Sequence, residues 1–382
     1  MRRRKQVTVL TERGKAVMEI SPSLHEGMFR IKEGTAGLAD CVPVYAQISH
    51  HSARLAGKST LQFFTDAETF LECQLAADQL YSLDAPTIHY DVYNIESEAL
   101  GAKLVWREKE IPSVDPHTTL LRSVDGWRSL RPIQIGSAGR MPYVLEMNRR
   151  LMDLGLSPKI RFTGLFTLAA NLLGLTNLIL AIMTEPEKAH RLLRFLTEEV
   201  VAPWIICQRA DCGRNEVATG SDALASPPIL SVELVREFCL KYIKRLEEQV
   251  GGIRLAGLWG ESSLSDPSQL LDIKREGSPT NIQVLDPDVT ALGPAFFRRY
   301  ADQTGVALVM GLDAHLICEG PVSEIKARAR RFIEEGGSTG RFILFINDVP
   351  YDTPSEHVHA VVSVAREYRR DTARTCYVRA RA

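Results

Sequence analysis

Short apolar runs recur along the chain, each ending in polar residues, and helical stretches lie between nearly all of them. The runs are CVPVYAQI (41–48), APTIHY (85–90), KIRFTGL (159–165), NEVATG (215–220), IRLAGLW (253–259), NIQVLD (281–286), VALVMGLD (306–313) and RFILFIN (341–347). Most are continuously apolar rather than alternating, which suits strands covered on both faces. Helices are predicted around Ala67–Leu83, from 165 onward, over Glu187–Cys207 and Val232–Val250, and over Pro354–Tyr368. Alternating β and α elements imply a parallel sheet, and eight such units point to a (β/α)8 TIM barrel. Residues 8–35 are charged and mildly amphipathic. They predict an N-terminal helical arm over 1–40, with the barrel over 41–382 and a hairpin-like insertion near Ala102–Pro132. No GxGxxG follows the first run, and the chain holds no Walker A or HExxH sequence, which counts against dinucleotide, P-loop and zincin chemistry.

Composition narrows the function classes. The 382 residues carry a formal net charge of −1, so nothing draws the whole chain to nucleic acid or to an anionic membrane. The stretch Leu168–Met183 is broken by Asn171, Gly174, Thr176 and Asn177. It reads as core helix, and no apolar run approaches the roughly 20 residues of a span. The seven cysteines lack CxxC spacing; neither a disulfide framework nor a zinc finger is expected. The default location is the cytoplasm.

In a barrel of this type chemistry belongs at the C-terminal ends of the strands. The polar residues there are Gln47, His50 and His51; Asp91, Asn94 and Glu96; Thr163; Asp222; Glu261; Asp286 and Asp288; Asp313 and His315; Asn347 and Asp348. The ring is rich in carboxylates and poor in lysine, which suits a cationic or neutral substrate, a metal, or acid–base work. Each residue also has a structural reading. His50, Asp222 and Asp313 can cap helices, Asp91 can bind loop amides, Asp286 and Asp288 bracket Pro287 as turn residues, and Glu261 can be a solvated loop charge.

The segments CVPVYAQISHHSARLAG, AADQLYSLDAPTIHYDVYNIESEALGA, TGLFTLAANLLG, SDALASPPILS, MGLDAHLICEG and INDVPYDTPSEHV, in this order, resemble the uroporphyrinogen decarboxylase superfamily from about residue 40 to 370. That resemblance implies a (β/α)8 barrel and, across the superfamily, either decarboxylation or methyl transfer involving corrinoid proteins or coenzyme M. The decarboxylases place arginines just after the first strand; here the stretch is AQISHHSAR, with Arg54 alone. Their Gly-His-Gly after the last strand is replaced by Ile346, Asn347 and Asp348, although an aspartate is retained at Asp91. NIESEALGA and DALASPP look more like the methyltransferase branch. In the coenzyme M members, zinc is held by a His-x-Cys and a later Cys; those positions here are Gly257, Trp259 and Asn347.

The resemblance therefore implies a corrinoid-dependent methyltransferase that demethylates a small, methoxylated and in some cases aromatic compound. A cobalamin-bearing partner protein would take the methyl group. Asp91 and Glu261 are the expected catalytic carboxylates, with Gln47, His50, Tyr93, Asn94, Asp222, Trp259, His315 and Asn347 shaping the pocket. The metal is undetermined; a relocated site would draw on Glu261, His315 and Cys318. The superfamily suggests a homodimer. Two alternatives stand beside this reading. One is a decarboxylase or lyase of a non-porphyrin acid, which requires a cation facing the substrate, with Arg54 and Arg161 the nearest candidates. The other is a non-catalytic barrel that binds a ligand or a corrinoid protein.

Overall fold

The computed structural model describes residues 10–12, 15–17, 20–371 and 376–380. Seven parallel strands coincide with seven of the eight apolar runs: β1 Val44–Ala46, β2 Arg161–Thr163, β3 Ala218–Ser221, β4 Ile253–Ala256, β5 Asn281–Leu285, β6 Ala307–Leu312 and β7 Phe342–Ile346. They form two arcs, one in the order β1-β7-β6-β5 and the other β2-β3-β4. The registers are continuous: Phe345 lies opposite Tyr45 and Gly311, and Arg161 lies opposite Thr219, which lies opposite Arg254.

The run at 85–90 forms no hydrogen-bonded ladder, which corrects the expectation of a regular second strand. It is extended all the same. Thr87 and His89 face a central cavity, whereas Ile88 and Tyr90 pack into the core. Single bonds tie it in place: Asp84 N donates to Val44 O at 2.8 Å, and Thr163 Oγ1 donates to Val92 O at 2.8 Å. Pro86 brings no N–H to a ladder. The second gap, between β4 and β5, is spanned by Lys274 of helix Ser268–Gly277, whose Nζ reaches Gln283 O at 2.9 Å.

The outward strand residues pack under the helices. Phe162 and Leu255 join one large apolar cluster, and Leu308, Met310 and Leu344 join a second. The long apolar stretch becomes two helices, Leu165–Leu173 and Leu175–Thr184, bent by 107°. Gly174 sits at the bend with φ +88°, a region open to glycine. Among the described residues, no single helix is long and apolar enough to cross a membrane.

The N-terminal arm differs from expectation. Leu10–Glu12 and Lys15–Val17 pair as a short antiparallel hairpin, and helix spans Pro22–Ala36. Ser21 caps that helix, and its Ile31 packs against Val309, Ile343 and Phe345 at the N-terminal end of the barrel. Arg30 and Arg366 both pair with Asp84, whose Oδ2 also accepts from Val44 N at 2.7 Å. That carboxylate ties the N-terminal helix and helix Ser355–Glu367 to β1. The insertion carries the paired strands Leu104–Val105 and Ser113–Val114. After the last helix the chain turns back as a hairpin, Tyr368–Asp371 with Cys376–Arg379, that the periodicity did not mark.

Candidate active site

A cavity of about 1240 Å³ runs through the barrel interior, from Lys32 and Thr35 of the N-terminal helix to Gln47, Trp259, Asn347 and Asp348 at the C-terminal strand ends. TIM-type interiors are ordinarily filled by layers of branched side chains. Here the short side chains of Thr219 and Ser221 face the interior and leave space.

Four of the ten residues expected at the site line this cavity: Gln47, Tyr93, Trp259 and Asn347. Trp259 remains 39% exposed, and its backbone N–H donates to Ser226 Oγ at 3.1 Å. Tyr93 is buried enough that its hydroxyl pKa is pushed up to about 12. The other six lie off the lining. His50 is buried and stacks on Tyr351, and His315 is exposed on helix Ala314–Glu319. Asn94 donates to Asp91 Oδ2 at 3.1 Å and to Pro112 O at 2.6 Å.

The carboxylates at the strand ends are largely committed to neighbours. Asp91 is buried and takes two bonds from Arg140, at 2.8 and 2.6 Å. Burial pushes its pKa up and Arg140 opposes this. Asp222 closes the start of helix Leu165–Leu173: it accepts from Thr167 N at 2.7 Å, Thr167 Oγ1 at 2.6 Å and Phe166 N at 3.2 Å. Glu261 is fully buried and pairs with Lys274; its second oxygen has no partner. Glu96 accepts from Thr163, and burial raises it to about 7. Asp286 pairs with Arg328, Asp288 holds the amides of Gly260 and Ser262, and Asp313 caps Leu316. Asp313 caps the helix that follows it, as its structural reading had it, whereas Asp222 caps the distant helix Leu165–Leu173 rather than the turn after it, and Asp288 holds the loop amides after β4.

The cavity itself has the opposite sign. Among the described lining residues, the cations are Lys32, Lys159, Arg161, Arg254, Lys274 and Arg341, and the one carboxylate is Asp348. The ring of strand-end acids, expected to suit a cationic or neutral substrate, a metal or acid–base work, points mostly into the protein fabric, and most of the basic side chains line the cavity below the mouth, toward the N-terminal ends of the strands. Arg54 is not among the lining residues; it bonds Thr353 O at 2.8 Å.

Asp348 was visible in sequence as a polar residue after the last run, but nothing there distinguished it from its neighbours. In the structure its Oδ1 is buried without a partner. Burial raises its pKa to about 6, opposed by the Val349 amide. It is the lining carboxyl poised to hold a proton near neutrality.

The residues at the positions where the resemblance to the coenzyme M members placed zinc do not fit a zinc ion. Gly257 has no side chain, Trp259 presents an indole and Asn347 an amide, and none is a customary ligand. A Cβ on Gly257 would stand 3.3 Å from Asp222 N and 3.4 Å from the Tyr93 hydroxyl, on a backbone with φ +82°. Among the described residues no group of three or more His, Cys, Asp or Glu side chains is arranged to hold a metal.

Comparison with known proteins places this geometry. A methylated-thiol–coenzyme M methyltransferase of Methanosarcina mazei is 27% identical over 346 residues, covering 87% of this chain and 86% of the relative. A solved methyltransferase structure from Methanosarcina mazei superposes with a TM-score of 0.71 at 21% identity, covering 89% of this chain and 98% of that one, so the two share a fold. Residues 37–368 match the family described as uroporphyrinogen decarboxylase (URO-D). Together with the parallel strands that surround the cavity, that match establishes that the chain belongs to the uroporphyrinogen decarboxylase family, with its α/β barrel fold.

Proposed function

We propose that this protein is a methyltransferase that removes a methyl group from a small methylated compound, a methyl ether above all, and passes it to a corrinoid carried by a separate protein. The name of the Methanosarcina relative supports methyl transfer in general. The observation that carries the finer reading is the Asp348 carboxyl, unpaired and able to hold a proton at the cavity mouth.

An ether oxygen leaves poorly as an alkoxide or phenoxide, so C–O cleavage calls for a proton at that oxygen. The reduced corrinoid supplies the nucleophile for the methyl carbon. As the C–O bond breaks, its electron pair stays on oxygen and the Asp348 proton moves there, releasing the alcohol or phenol. Asp348 is then reprotonated from solvent. Asp348 takes this role rather than Asp91 or Glu261, because those carboxylates are held by Arg140 and Lys274 away from the cavity. Tyr93 and Trp259 offer a flat apolar wall for an aromatic ring, and Gln47 and Asn347 offer amides to orient it.

The test is incubation with a reduced corrinoid protein and a panel of methyl ethers, methylamines and thioethers, followed by the absorbance of methyl-cobalt. Methyl-cobalt should form with at least one ether. Transfer from none of the panel would sink the reading. A second reading, decarboxylation of a non-porphyrin acid, is favoured by one observation: Arg161 lines the cavity and supplies the cation such chemistry needs. Carbon dioxide release without methyl transfer would select it.

A further inference from the structure

Two arginines lie inside the barrel with nothing to neutralise them. Arg161 on β2 and Arg254 on β4 flank Thr219 of β3 in one register row, and all three face the cavity. Neighbouring strands stand about 4.8 Å apart, so the two Cα atoms are separated by roughly 10 Å, within the reach of two long side chains converging on one group. The residues next in sequence to Arg161 and Arg254, Phe162 and Leu255, pack outward into the core, which fixes the arginines on the inner face.

Neither guanidinium meets a carboxylate or a hydrogen-bond acceptor among the described residues. The backbone of Arg161 is bonded to Gln208, but its Nε is buried and unpartnered. The charged and titratable groups felt by Arg161 are Tyr45, Tyr90, Tyr93, His89 and Lys159, none of them an acid that is ionised at neutral pH. Burial lowers the Arg161 pKa from its ordinary value, and burial also lowers Lys159 and brings His89 to about 3, so the His89 ring is neutral. A buried charge without a partner is costly to the folded state. A planar guanidinium returns that cost most fully to a carboxylate, through paired N–H···O bonds.

We infer that Arg161 and Arg254 form a binding site for the carboxylate of a small organic acid, so that the substrate enters the barrel acid end first and its remaining end lies toward Trp259 and Asp348. The inference rests on the proposed function only in taking the cavity as the substrate site, and it gives that substrate a chemical class.

Calorimetric titration of the whole protein, without any corrinoid partner, tests it. The probes are benzoate and 4-methoxybenzoate, each against its own amide, with inorganic phosphate as a further arm. Each acid should bind at least tenfold more tightly than its amide. Arg161→Met and Arg254→Met should lose that preference while amide binding stays the same, and Arg161→Lys should keep part of it. The comparison of acid with amide in the unaltered protein needs no variant to fold. Acids that bind no better than their amides would overturn the site, as would a preference that survives in the doubly substituted protein. Phosphate binding as tightly as the acids would overturn the assignment to an organic acid. Acid binding without methyl transfer would leave this site standing and remove the methyltransferase reading; transfer from neutral ethers with no preference for acids would do the reverse.

Discussion

Asp348 shows how one half-buried carboxyl couples its proton to stability. Its folded pKa, about 6, lies above the ordinary aspartate value because burial disfavours the charged form. The folded state therefore holds this proton more tightly than the unfolded chain, and stability falls as pH rises from about 4 through 6. Asp348→Asn removes that penalty. The variant should gain melting temperature relative to the unaltered protein at pH 8 and show no such gain at pH 4. Thermal denaturation at the two pH values measures it, and an equal offset at both would contradict the assignment. The sequence showed Asp348 as one of several polar residues past a strand. What separates it from Asp91, Asp222 and Glu261 is the set of partners those residues find far along the chain: Arg140, Thr167 and Lys274. No local pattern announces such pairings. Arg161 and Arg254 were legible in a weaker way. A basic residue inside a strand buried on both faces must pair or face a cavity, and alternation puts both arginines on the face opposite Phe162 and Leu255.

At the scale of elements, the glutamate that follows IRLAGLWG joins two of them. Glu261 opens a short turn after β4, and Lys274 lies on the helix Ser268–Gly277 that follows. Lys274 bonds both Glu261 and Gln283 O, bridging the gap where β4 and β5 share no ladder. Breaking a buried pair by removing one partner typically costs about 3–5 kcal/mol, because the other charge is left unmatched. Glu261→Gln should lose stability on that scale in urea denaturation. Replacing both residues by apolar ones of similar size, Glu261→Leu with Lys274→Met, should recover most of the loss. If the single variant were as stable as the parent, the pair would not be holding this seam. The spacing of the runs located seven strands; β6 and β7 are apolar and buried throughout, while the others alternate between core and cavity. The eighth run, 85–90, has the same alternation of inner and outer residues without the ladder. Period and composition report which face is buried, not which backbone groups pair. The terminal hairpins are short, the C-terminal one adding only a single bridge from Arg369 to Cys41, and they left no comparable signature.

For the whole molecule, the family barrel supplies a cavity, and the side chains have changed its character. Gly257, Trp259 and Asn347 offer no ligands for a zinc ion, most acids of the strand ends are turned to structural work, and a basic interior leads up to one proton-holding carboxyl. The barrel and its mouth could be read from the spacing of the runs. The charge of the interior could not, because it depends on which acids are neutralised across the fold. In the proposed account these features join: an organic acid is held deep by Arg161 and Arg254, with its methyl group toward Trp259 and Asp348. The most direct test is the single-turnover rate of methyl transfer to a reduced corrinoid protein, measured from pH 5 to 9 with a donor that forms methyl-cobalt. General acid catalysis contributes on the order of 10²–10⁴ in rate, and the acid form of Asp348 is lost as pH rises through about 6. The rate should fall about tenfold per pH unit well above pH 6 in the parent protein, and in Asp348→Asn it should be at least about 100-fold lower at pH 5 and nearly flat with pH. An Asp348→Asn protein that keeps the parent's rate and pH profile would contradict the account.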